Sequence, residues 1–146
     1  MKRGVALLSV VVSFCAITLL GGAFCLSFFK VLRLGDKLGL SAMILAQDIR
    51  DLQLSSMTSR GYSRLYIDFS NLERYLKVYP DSKVVERRLP REVRVSSFSF
   101  TEGYLSFSPS GAPLKGGYIS LTDGKRRLYV IVAVTTGRVR ISERLP

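Results

Sequence analysis

The sequence predicts an α+β protein: a long N-terminal helix, membrane-spanning in its first half, packed on an antiparallel β-sheet or small β-sandwich head. Three observations predict this. A basic start is followed by roughly 26 residues without charge, more than the ~20 that span a bilayer. An apolar stripe of helical period follows. Beyond Gly61 the apolar period falls to two, in short pieces divided by Pro, Gly, Asn and Asp.

The first element runs MKRGVALLSVVVSF and stays uncharged from Gly4 to Phe29. A secretory signal has an apolar core of only about 7–15 residues, so the run reads as a span. Lys2 and Arg3 keep the N-terminus cytoplasmic and place the remainder outside. Cys15 and Cys25 both lie inside the run. Ten helical residues separate them by about 15 Å, whereas a disulfide needs Cα atoms within about 7 Å. They are read as small apolar residues in lipid.

After Lys30 the helix becomes amphipathic. Leu38, Ala42, Leu45, Ile49 and Leu52 recur at steps of four and three, and Asp36, Lys37, Asp48, Arg50 and Asp51 lie off that stripe. No proline precedes Pro80. The helix can therefore run from about Val5 to about Ser59, roughly 80 Å at 1.5 Å per residue. Gly21-Gly22 is its expected bend, and Arg60-Gly61 is expected to close it.

In RLYIDF, Leu65, Ile67 and Phe69 fall on one face and Tyr66 and Asp68 on the other. RYLKVYP, KVVERRLP, EVRVSSFSF and YLSFS continue the alternation. YISL, an Asp123-Gly124 turn of the tight-hairpin type, RLYVIVAV and RVRI complete it. RLYVIVAV is the most apolar strand and is expected at the centre, buried on both faces. SPSGAPLKGG, at 108–117, reads as a loop. The organisation is then 1–4, a short basic start; 5–29, the apolar helix; 30–60, its amphipathic second half; and 61–146, the β head.

The N-terminal order resembles that of type IV prepilins, in which a short basic leader ends in glycine before Phe-Thr-Leu-(Ile/Leu)-Glu and an apolar stretch. Gly4 matches the last leader residue, Val5 stands for the phenylalanine and Ala6 for the threonine, and Leu7 and Leu8 match directly. Ser9 falls where the family has glutamate. DIRDLQLSSMTSRGYSRLYIDF resembles the helix-to-sheet passage of minor pseudopilins. YLKVYPDSKVVERRLPREVRV looks like the strand, connection and Leu-Pro strand entry of competence (ComG-type) minor pseudopilins, and LSFSPSGAPLKGGYISLTDGKRRLYVIVAVTTGRVRI like the end of the GspH/FimT type.

The resemblance implies a pilin-like fold and a non-enzymatic subunit of a type IV pilus-like filament serving DNA uptake or type II secretion. Prepilin peptidase would cut between Gly4 and Val5, and Val5 would be N-methylated. Leu7, Leu8 and Ser9 would sit in the assembly helix. The missing glutamate charge, which in the family pairs with a neighbour's terminal amine, implies an unusual place in the filament such as its tip, or atypical processing. Implied partners are other pilins or pseudopilins, the peptidase and the inner-membrane assembly machinery. The implied location is the cytoplasmic membrane, then a filament at the cell surface or periplasm.

Composition bears on chemistry. Histidine is absent, which removes the commonest general base and metal ligand, and both cysteines lie in the apolar run. Cys/His and Ser/His/Asp sets are thereby excluded, and no Gly-rich phosphate loop follows a strand. No enzyme activity, cofactor or metal is expected. Asp48 and Asp51, on neighbouring turns, read as a solvated or subunit-facing helix edge.

The net charge of +11 implies attraction to polyanions. Lys125, Arg126 and Arg127 are expected at a hairpin tip, and Arg138, Arg140 and Arg144 near the C-terminus. With Val139 and Ile141 facing the core, Arg138 and Arg140 share the outer face about 7 Å apart. That spacing suits successive phosphates, and FimT-type minor pilins carry a similar Gly-Arg-X-Arg implicated in DNA contact. A solvated outer strand is the alternative. Arg87, Arg88, Arg91 and Arg94 form a second basic run. The competing reading of the whole chain is a single-pass, membrane-anchored module that binds a polyanion and joins no filament.

Overall fold

The structure, a computed structural model, describes residues 36–100 and 102–145. The leader, the apolar helix and the start of the amphipathic segment lie outside the described residues. The unit Asp36–Pro146 is therefore considered by itself.

Its order is one helix, α1 (Lys37–Thr58), then β1 (Ser63–Ile67), β2 (Arg74–Val78), β3 (Val84–Arg88), β4 (Arg94–Phe98), β5 (Tyr104–Phe107), β6 (Gly117–Thr122), β7 (Arg127–Val132) and β8 (Val139–Ser142). All pairings are antiparallel. They form two four-stranded sheets, β3-β2-β1-β5 and β4-β6-β7-β8. The chain builds three strands of the first sheet, crosses with β4, returns with β5, and finishes in the second sheet.

The helix forms for the reason its stripe suggests. Leu38, Ala42, Leu45, Ile49 and Leu52 are all buried, and Ala46 joins them. They share one core with Leu65, Ile67, Leu105 and Phe107 of the first sheet and Val95, Ile119, Leu121, Val130, Val132 and Val139 of the second. At ~1.5–3 kcal/mol for each large apolar side chain buried, this stripe seats the helix against both sheets.

The helix ends one residue earlier than the sequence suggested. Arg60, with φ of 48°, takes the left-handed position, and Gly61 N–H donates back to the Ser56 carbonyl at 3.2 Å. Glycine is needed at 61 for space: a Cβ there would stand 2.6 Å from Pro80 Cβ. Ser63 Oγ then donates to the Leu52 carbonyl at 2.8 Å, tying the first strand to the last helical turns.

Three further expectations are corrected. The first strand stops at Ile67, so Phe69 leaves the core face and is 67% exposed, packed edge-on to Phe98. β7 shares the centre of its sheet with β6, and only Val130–Val132 are buried; Val134 lies beyond the strand and is exposed. The Asp123-Gly124 turn is a longer loop, residues 123–126, because the Asp123 carboxylate accepts from the N–H groups of Lys125 and Arg126.

Two glycines differ in what they are for, which makes a test. Gly124 has φ of 88° with open space around it. Gly137 has φ of 62°, and a Cβ there would collide with the amide nitrogen of Gln53, which donates to the Gly111 carbonyl at 2.9 Å. Gly124→Ala is expected to cost only the left-handed strain, about 1–2 kcal/mol. Gly137→Ala should cost about 1–2 kcal/mol more, by displacing Gln53. Urea midpoints at equal slope measure both, and equal losses would contradict the collision.

Candidate functional site

Three surfaces or clusters carry the unusual chemistry of this unit. The first lies between α1 and the first sheet. In β2, register puts Tyr75 opposite Ile67 and Lys77 opposite Leu65, so the Tyr75-Lys77 side of the strand faces the helix. Arg87 of β3 is paired with Tyr75 and lies on the same side. Asp48, one helical turn before Asp51, faces this strand.

The Asp48 carboxylate accepts from Tyr75 Oη at 2.7 Å, Lys77 Nζ at 2.8 Å and Arg87 Nε at 3.2 Å. Lys77 also reaches Asp51 at 3.3 Å, and Tyr79 Oη donates to Asp51. Asp48 and Lys77 are each only 5% exposed. Burial pushes the Asp48 pKa up, but the hydrogen bonds from Lys77, Arg87 and Tyr75 outweigh it and hold the carboxyl below its usual range. Lys77 is treated the same way with opposite sign: burial pulls its pKa down, and Asp48 more than restores it. Burial and then Asp48 push the Tyr75 phenol well above its ordinary range, so it acts as a donor only.

The expectation of a solvated or subunit-facing edge is thereby corrected for Asp48, which is buried, whereas the Asp51 side chain stays 46% exposed. The strand presents a Tyr-Lys-Tyr face inward, and the helix answers it with two carboxylates. Asp48 balances charge inside the domain, and Asp51 does so at its edge. Among the described residues no group of three metal-binding side chains converges.

The second surface is the outer face of the β4-β6-β7-β8 sheet. Lys125 and Arg126 lie in the β6–β7 loop, Arg127 opens β7, Arg140 lies within β8, and Arg138 and Arg144 flank that strand. Arg126 is spent on the fold: its guanidinium pairs with Asp36 at the start of α1. The second basic run divides. Arg87 is held by Asp48 and Arg88 by Glu86, whereas Arg94 lies in register with Thr122, which is paired in turn with Arg127. Sequence reasoning did not join Arg94 to the later arginines, because only the β4–β6 pairing does so.

Register puts Val139 and Ile141 on the core side of β8 and Arg140 on the other. Val139 is buried, but Ile141 is 39% exposed, so its expected burial is corrected. β8 is the sheet's last strand, and no further strand covers that residue. The outer face also holds Tyr118 and Tyr129, whose rings pack edge-on with centroids 5.6 Å apart.

The third surface is the exposed side of α1. Leu40, Met43, Ile44, Leu54 and Met57 are exposed, and Leu40, Met43, Leu54 and Met57 fall on steps of three and seven-plus-four along one stripe. The exposed side of the helix thus carries two apolar pairs, Leu40-Met43 and Leu54-Met57, with Gln47 and Arg50 between them on the same stripe. The processing and assembly positions Gly4, Val5, Leu7, Leu8 and Ser9 lie outside the described residues, and no arrangement is assigned to them. No described helix is long and apolar enough to cross a membrane.

A helix laid by one apolar face across two small antiparallel sheets defines the class: this is a type IV pilin-like fold. Solved structures that share it include the following two. The minor pseudopilin EpsH of the type 2 secretion system of Vibrio cholerae superposes with a TM-score of 0.57 at 17% identity, over 73% of this chain and 97% of that one. The type IV minor pilin FimU of Pseudomonas aeruginosa does so with a TM-score of 0.60 at 11% identity, over 77% of this chain and 92% of that one. No protein-family model and no curated protein matches the sequence.

Proposed function

We propose that this chain is a minor pilin or pseudopilin: a non-enzymatic subunit of a type IV pilus-like filament, held first in the cytoplasmic membrane by residues 5–29. The observation that carries the proposal is the pair of exposed apolar patches on α1, Leu40-Met43 and Leu54-Met57. A helix already seated in its own head gains nothing internally from exposing Leu40, Met43, Leu54 and Met57. Helices of neighbouring subunits would cover that stripe, as the apolar N-terminal segment would pack among theirs.

Within this reading prepilin peptidase removes Met1–Gly4 and the new N-terminus, Val5, is methylated. The basic outer face suits a filament that handles DNA better than one that only pushes protein, since Arg94, Arg127 and Arg140 make no ion pair among the described residues. Ser9 supports the competing reading, an anchored polyanion-binding module that joins no filament, because it removes the charge that pairs subunits.

Co-expression with a prepilin peptidase separates the two. The filament reading expects the intact mass to fall by the four residues of the leader, less the mass of one added methyl group where the peptidase also methylates. An unchanged mass beside a cleaved control prepilin rejects it in favour of the anchored module.

A further inference from the structure

We infer that the outer face of the β4-β6-β7-β8 sheet is a binding platform for single-stranded polynucleotide, with Tyr129 and Tyr118 as stacking surfaces and Arg94, Arg127 and Arg140 as phosphate contacts. The inference rests on the reading above that the basic face meets a polyanion, and it names which one.

The placement follows from register. Thr122 pairs with Arg94 on one side and Arg127 on the other, so the two arginines lie two strands apart, about 10 Å, on the same face. Tyr129 is two residues along β7 from Arg127 and so also on that face. Arg140 pairs with Ile131, about 13 Å further along the strand direction from Arg127. Tyr118 pairs with the same Ile131 from the other side. The three arginines therefore surround Tyr129, and Tyr118 packs against that ring from the side of β6. The arginines are exposed, and the rings are half-buried and braced against each other.

The chemistry selects the ligand. Three guanidiniums without a carboxylate partner among the described residues attract phosphates by releasing counterions, which any nucleic acid satisfies. Aromatic rings add binding only where bases are unstacked and can lie on them. In a duplex the base faces are occupied by their neighbours, and the tyrosines gain nothing. An acidic protein segment would use the arginines alone.

The test is fluorescence anisotropy of the full chain in neutral detergent with three labelled probes at equal salt: a 20-mer of dT, a duplex of equal length, and polyglutamate. The dT strand is expected to bind about 10-fold tighter than either of the others. Tyr129→Leu, which keeps apolar bulk, should weaken dT binding about 10-fold and leave duplex binding unchanged. Arg127→Gln, at an exposed position, should weaken both nucleic acids and reduce the logarithmic salt slope for dT by about 0.7. The chain has no tryptophan, so tyrosine emission is open to view, and dT should quench it less in the Tyr129 variant.

Equal binding of duplex and dT, or indifference to Tyr129→Leu in a variant with native circular dichroism, overturns the single-strand platform while leaving the polyanion reading. Equal binding of polyglutamate reduces the face to a general cation surface and overturns the platform. Failure to bind any probe at low salt removes both.

Discussion

Asp48→Asn is expected to destabilise the head by about 3 kcal/mol, the low end of the range for breaking a buried pair, because it leaves the buried Lys77 ammonium only the half-exposed Asp51 carboxylate at 3.3 Å. Tyr75 and Arg87 lose the same acceptor. The measurement is urea unfolding followed by far-ultraviolet circular dichroism. A second variant separates the charge from the packing. Asp48→Asn combined with Lys77→Met removes both ends of the pair and should recover more than half of the loss, since an apolar replacement of a buried pair is often close to neutral. A double variant as unstable as the single one would mean that packing around Asp48, not the weakened pairing of Lys77, accounts for the loss.

The same pair contributes to the acid sensitivity of the head, beside surface carboxyls such as Asp68 that hydrogen bonds also hold low. The Asp48 carboxyl in the folded state titrates below its ordinary value of 3.8. Its contribution is therefore complete above the unfolded value and is lost as pH falls through the folded one. Lys77, raised above its ordinary 10.5, contributes below that value and loses its contribution as pH rises through the folded one. Stability of the natural chain should fall below about pH 4, and the double variant should be flatter there.

Ile49→Ala is expected to cost about 2–5 kcal/mol, the range for truncating a large aliphatic side chain in a close-packed core. Ile49 is fully buried where the helix meets both sheets. Leu54, five positions along, is the contrasting case. It is exposed, and Leu54→Asp should change the unfolding midpoint by no more than about 0.5 kcal/mol. If the exposed stripe is the assembly face, that variant should nonetheless be lost from filaments sheared from cells, whereas Ile49→Ala should be lost from the membrane fraction by degradation. A Leu54→Asp chain recovered in filaments at the natural level would remove the stripe from the assembly surface.

These expectations rest on different parts of the sequence, and they were not equally legible. The helix stripe was readable because burial on a helix follows angle alone: five positions at steps of four and three share one face whatever they pack on. The strand pieces were readable for the related reason that alternation and turn residues are local. Each sequence-predicted piece from RLYIDF to RVRI overlaps one of the eight strands.

The site was less legible because alternation says which residues share a face and not which face is inside. In RYLKVYP the apolar face is Leu76 and Val78, yet both are only half-buried, while Tyr75 and Lys77 point to the helix. Nothing local selects that outcome. It becomes favourable only because Asp48 and Asp51 supply carboxylates from an element distant in sequence, so that the buried ammonium is paired and its burial cost is offset. Arg94 joins Arg127 for the same kind of reason, through a β4–β6 pairing that the intervening β5 conceals in the sequence.

The sequence by itself determined the two periods, the order of the elements, the seating stripe of the helix, the basic surplus and the absence of histidine chemistry. The tertiary structure alone decided which side of β2 is buried, which arginines are spent on the fold and which are left to meet a partner. Local patterns follow from backbone geometry, which each segment carries with it. The sign of a face and the pairing of a charge depend on what the rest of the chain places opposite, and only the folded molecule specifies that.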